Sequence, residues 1–209
     1  GEGEGEGEGE GEGEGEGEGE GEGEGEITDC VTTGSDVLGP FYNDGAPAVT
    51  QIAAANELGQ RIRITGRVFG EGCGGGGLKE AIVEVWHADH EGVYYDCDAC
   101  PSGDSGAFRL RSRLVAGDGG AFSFETIRPG HYPLGTSMRP AHIHFRVQHL
   151  GYNELVTQLY FAGDPYLAPN DPCSGCSSGD PTLIVPMTDA EAGDAVELSG
   201  VFNIVMAKS

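Results

Sequence analysis

Arg139-Pro140-Ala141-His142-Ile143-His144 sets two imidazoles at i and i+2 on an apolar run that reads as a strand. Side chains alternate faces along a strand, so His142 and His144 project from one side with backbones roughly 7 Å apart, within reach of a single metal ion. A hydrogen-bonded polar patch would show the same pattern, and the neighbouring segments decide between the two. Upstream, Tyr94 closes Gly92-Val93-Tyr94 and Tyr132 closes Arg128-Pro129-Gly130-His131-Tyr132, both at strand-to-loop positions. Downstream, Gln158 lies inside the apolar run Leu155-Val156-Thr157-Gln158-Leu159-Tyr160.

Working outward, residues 61–69, 81–88, 108–114, 121–127, 142–150, 154–161 and 196–206 read as strands. They are short, rich in Val, Ile and Phe, and separated by Gly, Pro and Asp clusters, which predicts an all-β chain folded as a β-sandwich with long loops. The best helix-like stretch, 50–58, is brief. Residues 1–26 are expected to form a tail, 27–60 an N-terminal arm and 61–209 a single catalytic domain, whose length suffices for a substantial core.

The order of these segments resembles the intradiol ring-cleavage dioxygenases, non-haem iron(III) enzymes of the catechol and protocatechuate dioxygenase type. The matching pieces are Leu38-Gly39-Pro40-Phe41-Tyr42, the run from Ala81 to Ala88, Gly92-Val93-Tyr94, Arg128 to Tyr132, Arg139 to His144, and Thr157-Gln158 followed by Gly163-Asp164-Pro165-Tyr166. The resemblance implies the intradiol type of sandwich. It also implies that Tyr94, Tyr132, His142 and His144 ligate Fe(III), with Arg139 and Gln158 lining the substrate site. Tyr95 would face the other way on an extended segment, and Tyr94 is preferred because it keeps the Gly-X-Tyr spacing. The bland readings are half-buried tyrosines with backbone partners and a structural ion pair for Arg139. His87, His90, His131 and His149 match no ligand position and read as polar or surface histidines.

Two phenolates and two neutral imidazoles suit a hard ferric ion, and one hydroxide completes the charge balance. A catechol binding as a dianion can replace the hydroxide and one phenolate without burying net charge. The resemblance implies cleavage of a catechol-type diol by O2 between its two hydroxyls, giving a muconate-type diacid. Tyr132 would take up a substrate proton as it leaves, Arg139 would stabilise charge developing on the ring, and Gln158 would orient by hydrogen bonds. Many members carry an N-terminal helical region or a second subunit over the pocket. No such helical pattern precedes residue 61, which predicts a more open pocket.

Six cysteines fall at positions 30, 73, 97, 100, 173 and 176. Two Cys-X-X-Cys pairs could make a tetrathiolate zinc site, but an even count in Gly- and Ser-rich loops favours disulfides and an extracellular or periplasmic location. The chain starts at Gly, as expected of a processed or incomplete sequence.

Residues 1–26 repeat Gly-Glu without interruption. Glycine at every second position disfavours helix by roughly 1 kcal/mol each relative to Ala, and a solvated tail is the plain expectation. A sharper one is that the repeat joins copies into a homo-oligomer or extracellular filament, making the domain a structural subunit instead of, or as well as, an enzyme. A tag or placeholder is the mundane rival. The chain carries 11 basic and 35 acidic residues, a net charge of −24. That charge argues against nucleic acid and anionic membranes as partners, and no apolar run is long enough for a membrane span.

Overall fold

The computed structural model describes Gly1, residues 30–95 and residues 108–209. Its strands run, in chain order, β1 (Arg61–Gly70), β2 (Ile82–Trp86), β3 (Arg111–Val115), β4 (Ala121–Ile127), β5 (Tyr132–Leu134) and β6 (Ser137–Arg139). They continue as β7 (His142–Gln148), β8 (Leu155–Phe161), β9 (Ile184–Val185), β10 (Thr188–Asp189), β11 (Leu198–Val201) and β12 (Ile204–Met206).

Strict alternation in β1 buries Ile62, Ile64 and Val68 on one face and leaves Arg61, Arg63 and Arg67 on the other. This strand is the axis of the first sheet. β4 pairs with it antiparallel, while β11 and then β12 pair parallel to its two halves in one continuous register. At the junction between those halves the Asn203 side-chain oxygen accepts from the Arg67 amide at 3.0 Å, in place of a ladder bond. Gly66 lies opposite, where a Cβ would come within 2.0 Å of the Phe202 carbonyl oxygen, so only glycine fits.

The second sheet has the order β3-β2-β7-β8-β9. Its inner face presents Val83, Val85, Ile143, Phe145 and Val147 to the inner face of the first. Phe145 stands at the centre, with its ring 6.1 Å from Phe124 and 5.0 Å from Phe202. This is the β-sandwich expected from the strand pattern.

The outer face of the second sheet is the one that matters for function. Cross-strand pairing sets His144 between Trp86 and Gln158, and His142 beside Tyr160. In most sandwiches such a face is wet, yet His142 and His144 are each only 2% exposed. The cover comes from the arm before β1, the β5–β6 hairpin and the loops after β2 and β9's neighbour β8.

The seven expected strands all form, with 196–206 split in two around Phe202 and Asn203. Strands β5, β6, β9 and β10 were not anticipated. The stretch 50–58 is not helical but holds a bridge at Gln51 and turns. The reason is Arg61, whose guanidinium donates to the carbonyls of Ala53, Ala54, Ala55 and Glu57. Those carbonyls converge on one cation instead of pointing along a helix axis.

Cys30 is bonded to Cys73, and Cys173 to Cys176. The second bridge removes two of the four thiolates a zinc site would need. Cys97 and Cys100 lie outside the described residues, as does all of the Gly-Glu repeat except Gly1. Among the described residues no helix is long and apolar enough to cross a membrane.

His87, expected to be polar or exposed, is buried at the end of β2. Its two ring nitrogens lie 2.7 Å from the Ala88 carbonyl and 2.7 Å from the Thr126 hydroxyl, tying the second sheet to β4. Burial lowers its pKa to about 4. An unfolded histidine titrates near 6.5. The unfolded state therefore binds the extra proton first, so stability is full above pH ~6.5 and falls as pH drops toward 4. We expect His87→Gln to flatten the pH dependence of the urea midpoint across that window relative to wild type, by an amount on the order of 3 kcal/mol at the acid end.

Candidate metal centre

Tyr94 is aimed by the turn before it. The Asp89 carboxylate accepts from the amides of Glu91 and Val93 at 3.0 and 2.9 Å, and the Asp89 carbonyl accepts from Gly92 and Gly130. Gly92 has φ +81, and a Cβ there would stand 2.2 Å from the His131 carbonyl oxygen and 3.1 Å from Tyr132 Cβ. The glycine of Gly92-Val93-Tyr94 thus lets the two tyrosine-bearing loops touch. Phe41 of the arm then stacks on the Tyr94 ring at 4.2 Å and 11°.

The Tyr94 hydroxyl lies 3.2 Å from His142 Nε2 and 3.1 Å from His144 Nε2. His142 Nδ1 is 2.7 Å from the Pro140 carbonyl, which only accepts, so Nδ1 carries the proton and Nε2 presents its lone pair. The His144 ring is stacked on Trp86 at 4.9 Å and 4° and is pressed from the other side by Gly39. His144 Nδ1 is buried, turned toward the Val37 carbonyl but outside hydrogen-bond geometry. The Tyr132 ring completes the group, 5.8 Å from Tyr94 and 5.7 Å from His142 between centroids. The structure therefore brings all four expected ligand residues together, and it is Tyr94 whose hydroxyl reaches the histidines. Tyr95 instead offers its backbone carbonyl to Arg111.

The donor set fits a hard cation. Burial, then Tyr132 nearby, raises the Tyr94 phenol far above its ordinary value, and burial raises Tyr132 against the pull of Arg139. Burial, then Arg139, lowers His142 to about 3, and burial, then His142, holds His144 well below the usual range. Without a cation the cluster is thus neutral, dry and poorly satisfied. Cis ligands on a metal with bonds of about 2.1 Å stand about 3 Å apart, which matches the Tyr94 contacts. Among the described residues no group of three or more His, Cys, Asp or Glu could hold a metal, so the phenols are indispensable to any site here.

A cavity of about 450 Å³ adjoins the cluster. The arm supplies Val37, Gly39, Pro40 and Phe41, and the hairpin supplies Tyr132, Pro133, Leu134 and Arg139. Gly92, Tyr94, His144 and Cys173 complete the wall. Arg139 donates from Nη2 to Gln158 Oε1 and to the Tyr160 hydroxyl, both at 3.1 Å. Gln158 is fully buried and spends its amide N–H on the Val37 carbonyl at 2.8 Å, so it stands behind Arg139 and not on the cavity wall.

The four-donor cluster beside this cavity agrees with the comparisons to known proteins. A family model described as Dioxygenase matches residues 37–208. Chlorocatechol 1,2-dioxygenase of Rhodococcus opacus is 36% identical over 199 residues, covering 83% of this chain and 72% of the relative. The chain belongs to the intradiol ring-cleavage dioxygenase family. Catechol 1,2-dioxygenase of Acinetobacter baylyi is 32% identical over 188 residues, and the chain spans 59% of it. The dioxygenase domain of a dioxygenase carbohydrate-binding fusion from Streptomyces sp. SirexAA-E superposes with a TM-score of 0.69 at 28% identity, over 86% of this chain and 100% of that domain.

Within this intradiol frame the sequence missed Asp36, Tyr160, Asp164 and Asp171. His131 Nε2 lies 2.8 Å from Asp164, whose carboxylate also accepts from the Ala141 amide at 3.0 Å. That carboxylate pins the Tyr132 loop to the start of β7. The Gly163-Asp164-Pro165-Tyr166 segment held the signal for it.

Gly92 offers a direct check. Gly135 also has a positive φ, +63, but open space around it. Gly135→Ala is expected to cost about 1 kcal/mol for the left-handed backbone alone. Gly92→Ala adds a collision with backbone and is expected to cost about 3 kcal/mol or more, read as the difference between the two urea midpoints.

Proposed function

We propose that this chain is an Fe(III) dioxygenase that binds catechol-type diols in the 450 Å³ cavity and, with O2, opens the ring between the hydroxyls. The observation that carries this is the convergence of the Tyr94 hydroxyl with two imidazole nitrogens at 3.1 and 3.2 Å, with Tyr132 alongside. Tyr94, Tyr132, His142 and His144 would hold the ion, which when bound supplies Lewis acidity toward the diol oxygens.

The residues of the chain provide the rest. Pro133, Leu134, Pro40 and Phe41 form apolar walls that exclude water from a planar ring. Tyr132, at the cavity wall and linked to Arg139, is the phenolate placed to take up a diol proton as the substrate seats. Arg139 brings a fixed positive charge to the cavity edge, where it stabilises negative charge developing on the ring. Gln158 and Tyr160 hold that guanidinium in place from behind.

The bridges Cys30–Cys73 and Cys173–Cys176 support an extracellular or periplasmic setting. The filament reading rests on the repeat alone, and the repeat lies outside the described residues apart from Gly1.

A visible spectrum tests the proposal. Iron-loaded protein should be burgundy from phenolate-to-iron charge transfer, shift on anaerobic addition of catechol, and return toward its starting spectrum as diacid appears once O2 is admitted. Protein that stays colourless after ferric reconstitution would overturn it. Tyr132→Phe should weaken the absorption, and Arg139→Met should leave the colour while lowering kcat by about 10²-fold.

A further inference from the structure

Segment 171–177 lies between β8 and β9 and belongs to none of the motifs read from the sequence. Asp171 Oδ1 is 3.2 Å from Arg139 Nε, and the two side chains are 3% and 4% exposed. The same carboxylate oxygen accepts from the Cys173 amide at 3.0 Å, and the Cys176 amide donates to the Cys173 carbonyl at 3.2 Å within the bridged turn. Cys173 itself lines the cavity.

The far end of the segment is tied as firmly. Ser177 donates from its amide to Asp36 Oδ2 and from its hydroxyl to the Ser35 carbonyl, both at 3.0 Å. Asp36 Oδ2 in turn accepts from the Tyr160 hydroxyl at 2.8 Å, and Tyr160 accepts from Arg139. The contacts close on themselves, from Arg139 through Asp171, the bridged turn, Ser177, Asp36 and Tyr160 back to Arg139.

Stability does not account for this arrangement. Two charges taken out of water lose several kcal/mol of hydration each, and a buried pair recovers that only when its remaining atoms are satisfied. Here Asp171 Oδ2 is buried without a hydrogen-bond partner, and Arg139 Nε meets Asp171 without hydrogen-bond alignment. What the pair does fix is the direction of a guanidinium at the edge of the cavity.

We propose that the bridge-closed segment 171–177 is part of the substrate site, with Asp171 a positioning residue for Arg139 and Cys173 a fixed wall of the pocket. This rests on the dioxygenase reading above and assigns the orientation of Arg139 to a loop that the ligand motifs do not include. Opening the bridge frees the turn that presents Asp171, so both sides of the guanidinium loosen together.

The test compares full-length wild type, Asp171→Asn, Asp171→Glu and the double variant Cys173→Ala/Cys176→Ala. Turnover of catechol is normalised to bound iron, the dissociation constant for anaerobic catechol is read from the spectral shift, and hydrogen exchange at Arg139 Nε–H is followed in metal-free protein. Asp171→Asn should lower kcat per iron at least tenfold with a smaller change in KM, and Asp171→Glu should recover part of it. The double variant should raise the catechol dissociation constant at least fivefold and speed exchange at Arg139 Nε–H. If wild type turns over catechol and these variants match it within twofold per iron, with unchanged exchange, the positioning role is overturned while the dioxygenase reading stands. Losses that track only the folded fraction in a thermal melt would make the pair structural and also overturn it. If wild type neither binds nor cleaves any catechol, both readings fall. Should Asp171→Asn fail to fold, the cysteine double variant alone decides.

Discussion

Keeping His142 and His144 dry on the outer face of a sheet is the constraint on which the rest of this molecule depends. A two-layer sandwich has no need to cover that face, because its core lies between the sheets. Here the arm lays Val37 to Phe41 over the second sheet, the β5–β6 hairpin folds against it, and segment 171–177 closes the side. Each cover is fastened by a buried polar contact and not by a hydrophobic layer. Gln158 holds the Val37 carbonyl, Asp164 holds the Ala141 amide, and Asp36 receives both Tyr160 and Ser177. Polar fastening costs more to build than apolar packing, but it can be directional, and direction is what a ligand cluster requires.

This division explains what could be read from the residues. Alternation in 61–70 and 121–127 names the inner faces of two strands, and the His-X-His pattern names the face of a third. Periodicity says which way a side chain points and nothing about what lies over it. The burial of His142 and His144 therefore could not be read from their own strand. Tyr94 and Tyr132 were legible because each follows a short motif whose glycine has a steric job, as Gly92 does against the His131 carbonyl. Asp36 and Asp171 lie in segments with no period and no motif, and their importance comes only from what they meet across the fold.

The misread stretch 50–58 makes the same point from the other direction. Its run of alanines has high helix propensity, yet propensity differences are worth only a few tenths of a kcal/mol per residue. Arg61 offers four carbonyls a charged donor at once, and hydrogen bonds to charged groups are worth roughly 1.5–3 kcal/mol each. Tertiary chemistry outweighs local preference by a clear margin. Strands 5 and 6 escaped for a related reason, since a hairpin of three-residue strands containing Pro133 and Gly135 carries no periodic signal at all.

Charge bookkeeping links the cover to the chemistry. The four candidate ligands are neutral when dry, because burial favours uncharged phenols and uncharged imidazoles alike. Arg139 is the cation next to them, and Asp171 offsets it from the side away from the histidine strand's ladder partners. A trivalent cation can enter such a place only as phenol protons leave, and a diol can follow only by giving up its own protons. The site is thus selective for ligands that arrive as acids and bind as anions. An alcohol or ether of the same shape has no proton of suitable acidity to surrender, which makes acidity of the two hydroxyls, more than the shape of the ring, the first criterion for admission to this pocket.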